Sequence, residues 1–255
     1  MEEDESMSEE IKHYTAHWHT SPYPLMVGFG AGLFLPWAFM LQFNYEQGLL
    51  AVIFLGLGAL LTIIGGLGWA GETIGVIDDE GWSPSAMFMF IGTEIMTIAG
   101  VLAGYWTARL GAPVWPPEGT PAIDPPLAAT VILLISSLTI GLARKHEING
   151  NPSGYGNMVM ASVALWAVFL AMTIMGWSDL SAQGFTIGVN AYATALYGFT
   201  GIHFAHVVIG ILVMLTCLPS AFKGRMSPSY SRAMTMYVHF VNILGVWVLL
   251  QVYYW

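Results

Sequence analysis

A chain of 255 residues that is 56% hydrophobic and only 9% charged, with a mean hydropathy of +0.64, is an integral membrane protein rather than a soluble domain. No polar stretch is long enough to fold as a separate soluble domain, and a net charge of -9 argues against nucleic acid as a partner. The single cysteine, Cys217, lies in an apolar run, which excludes an internal disulfide and argues against a cysteine-based metal site.

Residues 1-22 form an acidic tail. Met1-Glu2-Glu3-Asp4-Glu5 is acidic where a secretory signal is basic, and no short apolar region with a small-residue cleavage site follows, so the tail is expected to remain on the chain. A helix-length window then marks seven spans, 23-43, 49-70, 86-110, 127-144, 157-177, 191-218 and 234-255. Gly28, Gly30 and Gly32 in the first and Gly56 and Gly58 in the second allow close backbone approach, and Pro36 is expected to kink the first. The acidic loop 72-85 separates this hairpin, 23-71, from a five-helix remainder, 86-255.

The third span carries Glu94, a Gly100-x-x-x-Gly104 packing motif and a Met87 to Phe90 stretch that reads as ordinary helix surface. Breaker clusters follow at Trp115-Pro116-Pro117-Glu118-Gly119-Thr120-Pro121 and Asn149-Gly150-Asn151-Pro152-Ser153-Gly154. The sixth span holds His203 and His206, and the seventh holds His239. Trp69, Trp106, Trp115, Trp177 and Tyr253-Tyr254-Trp255 read as interfacial anchors. With seven spans, Lys12, Arg144, Lys145, Lys223, Arg225 and Arg232 share the N-terminal side and Arg109 alone lies near the other, which predicts an inside N-terminus and an outside C-terminus.

Ionisable groups at membrane depth are the candidates for function. A centrally placed charge costs about 2.5 to 3.5 kcal/mol on insertion scales, which a neutral form or a hydrogen-bonded partner removes. Glu94 lies eight residues into its span, roughly 12 Å deep, between His206 at about 18 Å and His239 at about 7 Å. A hydrogen bond between Glu94 and an imidazole, His206 first, is therefore expected. Two readings stand for Glu94: a carboxyl satisfied by a neighbouring helix, or one in a proton-conducting or gating environment. His203 and His206 share a helix face, half of a possible metal site, but no second pair completes a shell, and donation to neighbouring carbonyls is the stronger reading.

The residues resemble subunit III of the heme-copper respiratory oxidases, of the cytochrome c oxidase type. Four ordered stretches carry the resemblance: Met89-Phe90-Ile91-Gly92-Thr93-Glu94; Trp115-Pro116-Pro117-Glu118-Gly119 with Asp124-Pro125-Pro126-Leu127; Phe185-Thr186-Ile187 with Tyr192, Gly201, His203, His206 and Gly210; and Tyr237-x-His239-Phe240-Val241 with Tyr253-Tyr254-Trp255. It implies an all-α membrane protein of seven transmembrane helices, a two-helix hairpin plus a five-helix bundle with a lipid-filled V-shaped cleft. It also implies no heme or copper on this chain, both being held by partner subunits I and II. Those partners reduce dioxygen while protons are pumped, and a subunit III stabilises subunit I, supports proton uptake and guides oxygen through bound phospholipids. Glu94 corresponds to the family's buried glutamate; Trp69, Glu72 and Arg232 are the lipid or interfacial candidates. The implied location is a prokaryotic cell membrane or the mitochondrial inner membrane.

This chain departs from the family pattern at three places. Ala70 and Gly71 follow Trp69 where Trp and Arg are common, Asn242 stands where Asp is usual, and Trp177-Ser178-Asp179 replaces a Glu-Tyr. Three functions are compared: a non-catalytic oxidase subunit; a proton-coupled transporter relaying through Glu94 and the histidines; and a redox subunit binding heme through His203, His206 or His239. The transporter reading calls for paired broken helices in corresponding halves, and no such repeat is visible.

Overall fold

A computed structural model describes residues 21–73, 81 and 83–254. All but the end of the acidic tail, most of the 72-85 loop and Trp255 lie outside the described residues. Seven helices are long and apolar enough to cross a membrane: α1 (Tyr23–Phe43), α2 (Gly48–Thr73), α3 (Ser83–Gly111), α4 (Leu127–Ile148), α5 (Pro152–Ala182), α6 (Ala191–Phe222) and α7 (Pro228–Tyr254). No strand occurs among the described residues. In hydrocarbon every backbone polar group needs an internal partner, which a helix supplies from its own turns.

α5 and α7 begin earlier than their apolar stretches because capping fixes them. Asn151 Oδ1 accepts from the Gly154 N–H at 2.9 Å, Ser227 Oγ accepts from the Tyr230 N–H at 3.5 Å, and a proline occupies the first turn of each. Hydropathy marks the depth of the bilayer, and the helices continue past it.

Contacts divide the chain into two compact units, Met1–Trp69 and Ala70–Trp255. In the first, α1 packs on α2 along small residues. Ala51, Gly58 and Gly65, spaced by seven, are the buried positions of α2 in this unit. A Cβ at Gly65 would lie 2.9 Å from Met26 Cβ and Tyr23 O, and one at Gly58 would lie 2.9 Å from Leu35 Cδ2. Gly30 faces Thr62 Oγ1 and Gly58 O, and Gly68 lies under the Tyr23 ring. Gly28, Gly32 and Gly56, also expected to make close contacts, have nothing within 4 Å of a Cβ position, and neither do Gly100 and Gly104 in α3. The two-residue spacing that made Gly28-x-Gly30-x-Gly32 conspicuous puts alternate glycines on different helix faces, so only one meets the partner.

Pro36 is accommodated by a widened turn. Over Gly30–Phe34 the helix is π-type, and the Leu35 N–H reaches Gly30 O five residues back. Such a turn relieves the ring's clash with the preceding turn, which α-helical spacing does not.

In the second unit α7 contacts α3, α4 and α6, while α5 packs against α4 and α6. The buried stripe of α6, including Leu196, Phe199, His203, Val207, Gly210, Met214 and Cys217, advances by three or four residues, one face of a helix. Two apolar clusters lie along the bundle, one around Trp166, Val207 and Val238, the other around Tyr105, Leu196 and Val248. α7 ends in a π-type turn, Leu250–Tyr254, whose carbonyls are partly released from the helix ladder. Tyr105 donates to Gln251 O at 2.9 Å and Tyr192 to Val252 O at 3.0 Å, which satisfies them.

Candidate functional site

α3 and α6 bring Glu94 and His206 together. Glu94 Oε2 lies 3.1 Å from His206 Nε2, the imidazole named first as its expected partner. The other ring nitrogen, Nδ1, lies 2.8 Å from Ile202 O, and since a carbonyl only accepts, Nδ1 carries a proton. Nε2 and the carboxyl therefore share one proton between them: either the imidazolium donates to a carboxylate or the acid donates to a neutral ring. In both forms the pair is neutral overall, which removes most of the cost of placing it in the bilayer. Tyr237 of α7 donates to His206 O at 3.2 Å, and Phe90 and Phe240 close the site with ring contacts to Tyr237 and His206.

Burial differs from the expectation for three of the four protonatable residues. His203 is buried at 3% exposure, but the side chains of Glu94 and His206 keep 24% and 13%, and His239 is also half-buried. The cause lies in α3, where Ile98 and Tyr105 are the buried positions and the other described positions are exposed or half-buried. Glu94 sits at the edge of that packed stripe.

His203 is held differently. Its Nε2 donates to Val241 O at 3.1 Å, and the Phe169 ring meets it edge-on at 5.1 Å. Gly245 of α7 makes the room, since a Cβ there would lie 2.8 Å from His203 Cε1. Both histidines of the i, i+3 pair thus donate to carbonyls, and they do so on different ring nitrogens. Among the described residues no three His, Cys, Asp or Glu side chains cluster as a metal shell.

His239 does not join the Glu94 pair. Its Nδ1 lies 3.3 Å from Ser137 Oγ, at the edge of a polar network crossing α4, α5 and α7. Asn242 Nδ2 donates to Ser136 Oγ at 2.9 Å and Ser137 Oγ at 2.7 Å, and its Oδ1 accepts from Trp166 Nε1 at 3.2 Å. Trp166 also donates to Ser136 Oγ at 2.8 Å. The sequence singles out Asn242 only as a lost titratable group; its role in tying three helices depends on Ser136, Ser137 and Trp166, which carry no such signal.

The interfacial candidates Trp69, Glu72 and Arg232 are exposed. Trp106, Trp115 and Trp177 do more than anchor. Trp106 Nε1 donates to Gln251 Oε1 at 3.2 Å, Trp177 Nε1 donates to Thr200 Oγ1 at 3.1 Å, and Trp115 packs edge-on against Tyr105 and Tyr192. Arg109 lies 5.1 Å over the Trp106 ring and donates to Tyr105. At the opposite end, Glu147 Oε2 accepts from Arg144 and from Ser231 Oγ, and Arg144 reaches Pro228 O at 3.4 Å. This cluster was not anticipated from sequence, where Glu147 reads as one acid beside a breaker.

A family model described as Cytochrome c oxidase subunit III matches residues 16–255. Relatives named cytochrome c oxidase subunit 3 include that of Pelomedusa subrufa, 27% identical over 92% of this chain and 94% of its own length. Another, from Tachyglossus aculeatus aculeatus, is 27% identical over 96% and 99%, and one from Pyricularia grisea is 31% identical over 66% of each.

Proposed function

The chain belongs to the cytochrome c oxidase subunit III family and so forms part of a heme-copper oxidase complex in a membrane, and we propose that it serves there without a redox centre of its own. The observation that carries this reading is the use already made of its imidazoles. His203 and His206 each spend one ring nitrogen on a backbone carbonyl, His206 spends the other on Glu94, and His239 contacts Ser137. A heme ligand needs a free ring nitrogen aimed at iron: His206 has none, the second nitrogen of His203 lies in a side chain only 3% exposed, and His239 is turned toward Ser137.

Its expected partners are subunits I and II, which hold the hemes and copper, together with structural phospholipids. Support of subunit I, of proton uptake and of oxygen access are the roles proposed. Glu94, Trp69, Glu72 and Arg232 are proposed as its contact or proton-handling residues. The basic residues Arg144, Lys145, Lys223, Arg225 and Arg232 set the proposed orientation, N-terminus inside and C-terminus outside.

Purification through a tag on this chain, with a visible spectrum before and after the chain is stripped by detergent, tests the reading. Oxidase-type heme should stay entirely with the larger partner. Heme on the released chain refutes the proposal, and a heme-free solitary protein supports the transporter instead.

A further inference from the structure

A cavity of about 340 Å³ lies at the end of the bundle where α4 begins and α5 and α7 end, and His203 is among its lining residues. Asp124 and Asp179 stand at its mouth, exposed and outside the ion pairs formed among the described residues. Phe169, Met172 and Gly245 contribute to an apolar wall. The depth is considerable, since Phe169 lies ten residues from Asp179 on α5, about 15 Å along the axis.

The polar atoms along this path are nearly all acceptors. Thr130 and Thr173 give their hydroxyl protons to Pro126 O and Phe169 O, which leaves lone pairs for the cavity. Trp177 spends its N–H on Thr200, and Gln183 directs its amide to Asp179 O. At the floor, the His203 bond to Val241 O uses Nε2, so the neutral ring presents Nδ1 as an unpartnered lone pair in a side chain only 3% exposed. Among the side chains, the Tyr253 hydroxyl and the second N–H of Gln183 are the donors that remain, and the non-helical backbone of Ala122, Ile123 and Asp124 lies at the mouth. A buried acceptor without a donor is costly, and one facing a roomy polar cavity takes water.

We propose that this cavity is a hydrated vestibule selective for donor-rich guests over anions, namely water and the cations hydronium and small ammonium-type ions, and that it carries them from the membrane surface to His203. Two carboxylates at the mouth raise the local cation concentration, and the acceptor-lined path repels anions. The vestibule is separate from the Glu94–His206 site, neither of whose two side chains lines it, and the proposal holds whether or not the chain lacks a redox centre.

Thiol accessibility in the intact oxidase tests it. Met172→Cys faces the cavity, and Ile174→Cys, about 3 Å away in depth on the opposite, 53% exposed face of α5, is the control. Methanethiosulfonates need a thiolate, which forms only in water. Peptide mass spectrometry should show modification of Met172→Cys and none of Ile174→Cys. The trimethylammonium reagent should react about tenfold faster than the sulfonate one, a preference that Asp124→Asn with Asp179→Asn removes. Equal reactivity at the two positions, or equal rates for the two reagents, overturns the proposal. Should the cysteine variants fail to assemble, deuterium exchange at His203 Cε1 in the unmodified oxidase decides it. Exchange at the rate of a solvated imidazole supports hydration, and no exchange refutes it.

Discussion

Trp166 of α5 donates its indole N–H to Asn242 Oδ1 of α7 at 3.2 Å and so joins the two helices in the bundle core. Asn242 is 1% exposed and its amide is fully used, with Ser136 and Ser137 of α4 as acceptors. Asn242→Leu keeps the volume but removes the donor to Ser136 Oγ and Ser137 Oγ and the acceptor for Trp166, leaving Ser137 with only His239 Nδ1 and Trp166 with only Ser136, at a cost of about 1 kcal/mol. Asn242→Asp forces the serine hydroxyls to turn and donate, and Ser136 then gives up its 2.6 Å bond to Leu133 O. Both variants should lower the temperature at which the subunit leaves the detergent-solubilised oxidase. An unchanged dissociation midpoint would show that the network adds nothing to assembly.

The pairing of Glu94 with His206 predicts a graded response. In Glu94→Gln an amide N–H can donate to His206 Nε2, whose ring is held by its bond to Ile202 O, so assembly should stay within about 1 kcal/mol of the parent. Glu94→Ala leaves Nε2 without a partner, at about 1 to 3 kcal/mol. Subunit retention through a detergent titration reads the difference. Dioxygen reduction should persist in both, and a loss as deep as that from removing a heme ligand contradicts a non-catalytic role.

Element positions were legible because apolar runs of membrane length have few alternatives. The Glu94–His206 contact was legible too, since polar groups within about one helical turn of each other in depth have little else to bond. Depth, however, says nothing about direction around a helix. His239 lies only five residues into its expected span, yet it turns toward Ser137 rather than Glu94. The same gap explains the glycines: spacing marks small residues, but only packing shows that Gly58 and Gly65 meet the facing helix while Gly28 and Gly56 do not. The vestibule rests on hydroxyls bonded to their own helices, a property that no residue type announces.

That distinction among glycines separates two kinds of failure. A side chain at Gly65 would press on Met26 Cβ and Tyr23 O at 2.9 Å, and overpacking of this kind costs about 1 to 3 kcal/mol. Gly65→Leu should therefore spread the α1–α2 hairpin and increase its cleavage by added protease. Gly28→Leu and Gly56→Leu meet open space within the chain, so the hairpin should resist protease as before. If these faces dock on subunit I, the two variants reduce co-purification while leaving the hairpin intact. Identical protease patterns for Gly65→Leu and Gly28→Leu would remove the basis for separating the faces.

Glu147 ties the end of α4 to the start of α7 through Arg144, Ser231 and the Arg144 contact to Pro228 O. The Arg144 and Glu147 side chains are 22% and 14% exposed, so the pair is sheltered more than a surface ion pair and less than a core one. Glu147→Ala leaves Arg144 uncompensated beside an apolar bundle and Ser231 without its acceptor, and should cost about 1 to 3 kcal/mol. Glu147→Gln keeps an acceptor for Ser231 and loses only the charge, so it should cost less. The double variant Glu147→Ala with Arg144→Ala should recover part of the loss, because no charge is then stranded. Thermal dissociation of the oxidase measures all three, and a double variant no more stable than Glu147→Ala alone would mean that the two side chains act independently.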